Sequence, residues 1–190
     1  DANDYVAKGL SGGTIVIRPS KKNNLITNQN TILGNTVLYG ATSGKLFAAG
    51  KAGERFAVRN SGAISVVEGC DANGCEYMTG GEIVILGKIG DNFAAGMTGG
   101  IAYVYDPNNN FENYVNSASV IWQKPETKYW KDKLKKLLEE YTFETESKVS
   151  KDILENFSKE IQNFKQVCPI EMLDKLENPI SLKTKISKAI

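Results

Sequence analysis

The sequence predicts a parallel β-helix of five or six coils followed by an α-helical tail. Three observations carry this. All 18 glycines lie between Gly9 and Gly100. Within that region, segments built on a small residue followed by glycine recur at a nearly fixed spacing, the sequence mark of a stacked architecture. Beyond it, apolar residues recur at the helical period among lysines and glutamates. A boundary between Trp122 and Pro125 divides the two parts, giving a β-helix over residues 1–122 and a helical tail over 123–190 that packs on it.

Taken in order, the repeats are SGGTIVIRP on Gly13, TSGKLFAAG on Gly44, NSGAISVVEG on Gly62, TGGEIVILG on Gly81 and TGGIAYVYD on Gly100. The last four glycines follow at steps of 18, 19 and 19 residues; the first step is 31, because a polar insert around Lys21 to Gln29 interrupts one repeat. Two and four residues past these glycines stand Ile15 and Ile17, Leu46 and Ala48, Ile64 and Val66, Ile83 and Ile85, and Ala102 and Val104. All are apolar, whereas intervening positions such as Thr14, Lys45, Ser65 and Glu82 are mixed. Period-two alternation predicts strands with one buried face, Ile83 and Ile85 inward and Glu82 outward. Further short strands are expected at Thr36–Tyr39, Arg55–Val58, Glu76–Met78 and Asn92–Ala95. A helical reading fails, because glycine costs about 1 kcal/mol per site in a helix interior. A sandwich does not require matching residues at a fixed period, whereas stacked coils about 4.8 Å apart do. Gly13, Gly44, Gly62, Gly81 and Gly100 are therefore read as structural corners, where sharp turns favour positive φ. Five or six coils make a stub roughly 25–30 Å long whose open edges need covering.

In the tail, Trp130, Leu134, Leu137, Leu138 and Tyr141 form one helical stripe. A second helix is expected from Ser147 or Ser150, either a fitting cap. It carries Val149, Ile153, Phe157, Ile161 and Phe164 on one face, with Pro169 as its stop. Both stripes point to docking on the β-helix as a cap for its end or side.

Composition narrows the chemistry. The net charge of +1 gives no footprint for nucleic acid or an anionic membrane. No apolar run is long enough to span a bilayer and no signal peptide opens the chain, which begins at Asp1 as a piece of a longer polypeptide would. The only cysteines are Cys70, Cys75 and Cys168, an odd number that suggests a reducing, cytoplasmic setting. No histidine is present, which removes Ser-His-Asp and Cys-His catalysis and most zinc sites.

The stretch YGATSGKL at Tyr39–Leu46 comes close to a phosphate-binding loop and misses it twice. Only three residues separate Gly40 from Gly44, and Leu46 stands where a magnesium-binding hydroxyl is required. Cys70 and Cys75 lack the further ligands a soft metal needs. Asp71–Gly74 and Asp106–Asn108 are oxygen-rich but lack the calcium-loop pattern, and their residues are ordinary turn formers. Glu54, Arg55, Arg59 and Glu68 are the charged set from which a groove enzyme would draw its acid and base, and corner charges are more simply solvated or paired. Tyr103 and Tyr105 read as packing or interface residues. No catalytic, cofactor-binding or metal-ligating residue is assigned.

The runs ANDYVAKGLSGGTIVIRP, GNTVLYGATSGKLFAAGKAGERFAVRNSGAISVVEG and GCEYMTGGEIVILGKIGDNFAAGMTGGIAYVYD closely resemble the C-terminal GXGXG domain of the glutamate synthase large subunit. KDILENFSKEIQNFKQVCP looks like that family's closing helix. The resemblance implies a right-handed, single-stranded parallel β-helix that serves as a structural scaffold in an oxidoreductase of glutamate biosynthesis. That enzyme makes glutamate from glutamine and 2-oxoglutarate. The FMN and 3Fe-4S cluster of such enzymes, and the amidotransferase cysteine, belong to other domains, so this chain is expected to hold no cofactor and no active site. The implied partners are the amidotransferase and FMN-binding synthase domains and the small subunit. The β-helix component of formylmethanofuran dehydrogenase shares the repeats more distantly. A stand-alone β-helix enzyme with a groove active site is the competing functional class.

Overall fold

The computed structural model describes residues 1–20, 22 and 24–181; the last nine positions of the expected tail lie outside the described residues. The strands are β1 (Ser11–Ile17), β2 (Thr31–Leu33), β3 (Ser43–Ala48), β4 (Lys51–Ala52), β5 (Ser61–Val67), β6 (Thr79–Ile85), β7 (Gly99–Tyr105), β8 (Val120–Gln123) and β9 (Phe164–Pro169). The helices are α1 (Lys128–Thr145), α2 (Lys148–Glu155) and α3 (Phe157–Glu160). One sheet runs β1-β3-β5-β6-β7-β9-β8, and β2 pairs with β4 on a second side of the coil. The first five strands of that sheet are joined by four parallel pairings, each to the repeat before it. This is a β-solenoid of about four turns, short of the five or six expected. No small-residue–glycine segment follows Gly100, so after β7 the chain leaves the stack and returns in antiparallel strands.

The coil interior follows the predicted alternation in four repeats. Leu46, Ala48, Ile83, Ile85, Ala102 and Val104 are buried in one core, with Ile15 and Ile17 packed against it from the open β1 end. The repeat at Gly62 is shifted by one residue. Its inward positions are Ser65, level with Leu46 and Ile83, and Val67, level with Ile85, whereas Ile64 and Val66 face outward. The reason lies at the corner. A Cβ on Gly62 would fall 2.1 Å from the Thr42 carbonyl oxygen, the same clash that Gly80 and Gly99 avoid with Ser61 and Thr79. Gly62 thus matches the first glycine of the Gly-Gly pairs. Ala63 takes the second place, with both its backbone groups bonded to the buried Asn60 side chain at 3.0 and 2.9 Å. The second glycines, Gly13, Gly44, Gly81 and Gly100, have φ of 75°, 94°, 90° and 80°. Ser65 is tolerated inside because its hydroxyl donates to the Leu46 carbonyl at 2.6 Å.

The short strands expected between the repeats are not strands. Each lies in a turn ribbon in which every second residue is left-handed: Thr36 and Leu38, Arg55 and Ala57, Cys75 and Tyr77, Asn92 and Ala94. Outside glycine such a conformation is uncommon and survives where surroundings over-determine it. Here ribbons hold one another through bonds between coils. Leu38 donates to Val6, Ala57 to Val37, Cys75 to Phe56 and Ala94 to Gly74, at 2.7–2.9 Å.

The tail departs from expectation after its first helix. α1 buries all five predicted stripe residues. The second helix does not run to Pro169: it breaks at Asn156, and from Phe164 the chain is strand β9, antiparallel to both β7 and β8. The free edge of β7 overrides the helical spacing, because covering an open strand edge satisfies a row of backbone groups. The helices cover the outer sheet face while β9 and β8 close the C-terminal end.

Candidate functional site: the face where the tail docks

The outward residues of β3, β5, β6 and β7 make the surface on which the tail lies. Phe47, Val66, Val84 and Tyr103 meet Trp130, Leu134, Leu138 and Tyr141 in a second core, and Phe47 packs edge-on against Tyr141 with ring centroids 5.8 Å apart. Burial of this kind contributes roughly 1.5–3 kcal/mol per large side chain.

Polar groups also cross this interface. Arg18 pairs with Glu146 at 2.9 Å, and Lys45 with Glu140 at 2.5 Å. Lys45 is the lysine of the phosphate-loop-like stretch; it reaches across to α1, and Leu46 turns into the coil interior. Glu82 stands on the outside of the coil as alternation predicts, yet it is 4% exposed, because α1 lies over it. Its Oε2 accepts from Lys133 Nζ at 2.6 Å, and the same ammonium sits 5.1 Å above the Trp130 ring. The exposure of Lys133 to water on its far side makes this a half-buried pair rather than a sealed one. Tyr103 is buried beside Gln166 of β9, and Tyr105 donates to Glu160 at 2.6 Å, so both tyrosines serve packing. Burial and the adjacent Glu82 push the Tyr103 hydroxyl well above its ordinary value.

The acid/base set is not brought together. Glu54, Arg55 and Arg59 are on or beside one ribbon, and Glu54 and Arg55 are exposed along with Arg59. Glu68 is buried at the far end of β5, whose seven residues span about 20 Å. There its Oε1 accepts from the Ser147 hydroxyl at 2.5 Å. Cys70 and Cys75 are buried in the coil, and burial drives the Cys70 thiol up to about 12 and that of Cys75 well above the ordinary range. Among the described residues no cluster of cysteine and carboxylate side chains has the makings of a metal centre.

Two clefts border the tail. One of about 310 Å³ lies between Leu86, Lys88, Val104 and Phe111. Its carboxylate, Asp106, is committed to the backbone N–H groups of Asn110 and Phe111, both at 3.0 Å. The other, about 740 Å³, lies between the insert and the α1–α2 elbow, with Arg18, Leu25 and Thr27 on one wall and Ser147 and Lys148 on the other. Among the described lining residues, Ser147 has its hydroxyl on a carboxyl group, that of Glu68, which is buried behind the wall rather than part of it. Sequence reasoning missed Glu68 and Glu82 as tail-docking residues, since nothing local marks a corner carboxylate that a helix will later cover.

The sequence is similar to known proteins along most of its length. The family model described as "GXGXG motif" matches residues 1–170. The chain is 62% identical over 187 residues to the glutamate synthase [NADPH] large chain of Azospirillum brasilense, covering 98% of this chain and 12% of that protein. It is 51% identical over 169 residues to the ferredoxin-dependent glutamate synthase of Antithamnion sp., covering 89% of this chain and 11% of that protein. With the glutamate synthase [NADPH] large chain of Bacillus subtilis it shares 46% identity over 170 residues, covering 89% and 11%. The chain spans about a tenth of the length of these curated relatives. By the extent of the family match and the stacked coils behind it, the chain belongs to the GXGXG motif family.

Proposed function

We propose that this chain is a scaffold domain of a glutamate synthase, holding catalytic domains in place for glutamate formation from glutamine and 2-oxoglutarate while performing no chemistry itself. The observation that carries the reading is where the polar side chains go. Its most buried carboxylates, Glu68 and Glu82, are turned toward the chain's own tail rather than into an open groove. The relatives add a second support. Proteins named for NADPH, NADH and ferredoxin match this same domain at 46–62% identity, so a role in selecting the electron donor would have to survive all three. FMN and the iron–sulfur cluster, and with them the contacts to the amidotransferase and synthase domains, belong in this reading to regions outside the matched span.

The test is to purify the chain and supply glutamine, 2-oxoglutarate and a chemical reductant. No glutamate above the protein-free control and no visible flavin absorbance are expected. Turnover by the isolated chain, or cleavage of an acidic polysaccharide by a groove site, would overturn the scaffold reading.

A further inference from the structure

Glu68 follows β5 where three parts of the chain meet: the coil, the elbow between α1 and α2, and the segment 24–29 that carries Thr27. It is 1% exposed. Oε1 lies 2.5 Å from the Ser147 hydroxyl and 3.3 Å from that of Tyr141, while Oε2 has no hydrogen-bond partner among the described residues. Thr27 faces the same carboxyl from the insert without completing a bond to Oε2.

Counting protons shows what this arrangement can hold. The Ser147 oxygen accepts the Ser150 N–H at 3.2 Å as the N-cap of α2, leaving its single proton for Glu68. Tyr141 also has one proton, and its shorter contact is to the Ala48 carbonyl at 2.9 Å. That proton is shared with Glu68 at the longer distance of 3.3 Å, so Tyr141 gives the carboxyl only a weak bond. Among the described residues, an ionised Glu68 would rest on the short Ser147 bond and weaker support from Thr27 and Tyr141, with no counter-ion. The charged groups around it are engaged elsewhere or exposed: Arg18 with Glu146, Lys51 toward Asp71 at 3.9 Å, and Lys88, Lys148 and Asp152 at the surface. A buried carboxylate so placed neutralises instead.

We propose that Glu68 is held as a neutral carboxylic acid and acts as a proton-released latch, so that losing its proton frees the α1–α2 elbow and residues 24–29 from the coil. Burial pushes the carboxyl above its ordinary range, and the hydroxyls of Ser147, Thr27 and Tyr141 offset this only in part. The sign follows. The opened state titrates in the ordinary carboxylate range and the closed state higher, so closure is strongest in acid. It weakens as pH rises from the ordinary value to the raised one, and is level above it. Opening would widen the 740 Å³ cleft, whose walls carry Thr27 and Ser147.

The test is amide hydrogen exchange of the whole chain between about pH 5 and pH 8, corrected for intrinsic rates, with E68Q alongside. Protection of the wild-type amides at 141–152 should fall with pH, by up to tenfold per unit, while E68Q stays flat and at least as protected at the alkaline end. Flat protection in the wild type, or an E68Q chain less protected at neutral pH, would overturn the latch. Infrared spectroscopy of the wild type decides the matter even if E68Q fails to fold. A carboxylic-acid C=O band persisting above the ordinary carboxylate range is expected, and its absence there would refute a neutral Glu68.

Discussion

Ile83→Ala tests the stacked interior most sharply. Ile83 is fully buried, and its register neighbours in the adjoining coils are Ser65 and Ala102. Both are small, so neither can lean into the space left by three lost carbons, and relaxation along the stack is blocked by the bonded backbones on either side. The loss should therefore lie in the upper part of the range for such truncations, about 3–4 kcal/mol. That is a large fraction of the roughly 5–15 kcal/mol that holds a domain together. For a chain of this length it corresponds to a fall in Tm of about 6–16 °C. Urea unfolding followed by circular dichroism reads it as a lower midpoint with an unchanged slope. The control is Glu82→Ala on the opposite face. It removes a carboxylate with one unsatisfied oxygen and leaves Lys133 with water and the Trp130 ring, so its cost should stay near 1 kcal/mol. Equal losses in the two variants would refute the assignment of inside and outside.

Other outcomes follow from the same geometry. Leu134→Ala should cost about 2–4 kcal/mol and raise proteolysis within α1, since the fully buried side chain sits between helix and sheet; unchanged proteolysis would mean the tail is not docked there. Tyr141→Phe should lose about 1–2 kcal/mol in thermal unfolding, because the Ala48 carbonyl and Glu68 lose the hydroxyl between them; a gain in stability would count against that contact. None of the three cysteines should react with a thiol reagent at mildly alkaline pH before unfolding, burial having both enclosed the thiols and raised their pKa values; prompt labelling of Cys70 or Cys75 would show the coil to be open.

What the sequence discloses follows a physical line. Strand repeats are legible because each coil presents the same positions to the same environment, so Leu46, Ile83 and Ala102 announce themselves at a common spacing. α1 is legible for a similar reason, its stripe being set by its own period. The ribbons are hidden, because left-handed Arg55, Ala57 and Ala94 are stabilised by bonds to neighbouring coils and not by their own residue type. The shift at Gly62 is hidden behind apolar residues on both faces of β5, Ile64 and Val66 under the helices and Val67 within the coil. β9 reads as helix until the open edge of β7 is known. Glu68 and Glu82 look like solvated corner charges, since their burial depends on a tail more than fifty residues later in the chain.

The scaffold reading meets its most direct test in the turnover of a full glutamate synthase large chain whose domain carries Glu54→Gln, Arg55→Gln and Arg59→Gln together. These exposed side chains are the open-surface groups a groove enzyme would need. A scaffold should keep kcat within about twofold of the parent, because removing a true acid–base pair would cost 10²-fold or more. A loss of that size in a variant that still folds and assembles would contradict it.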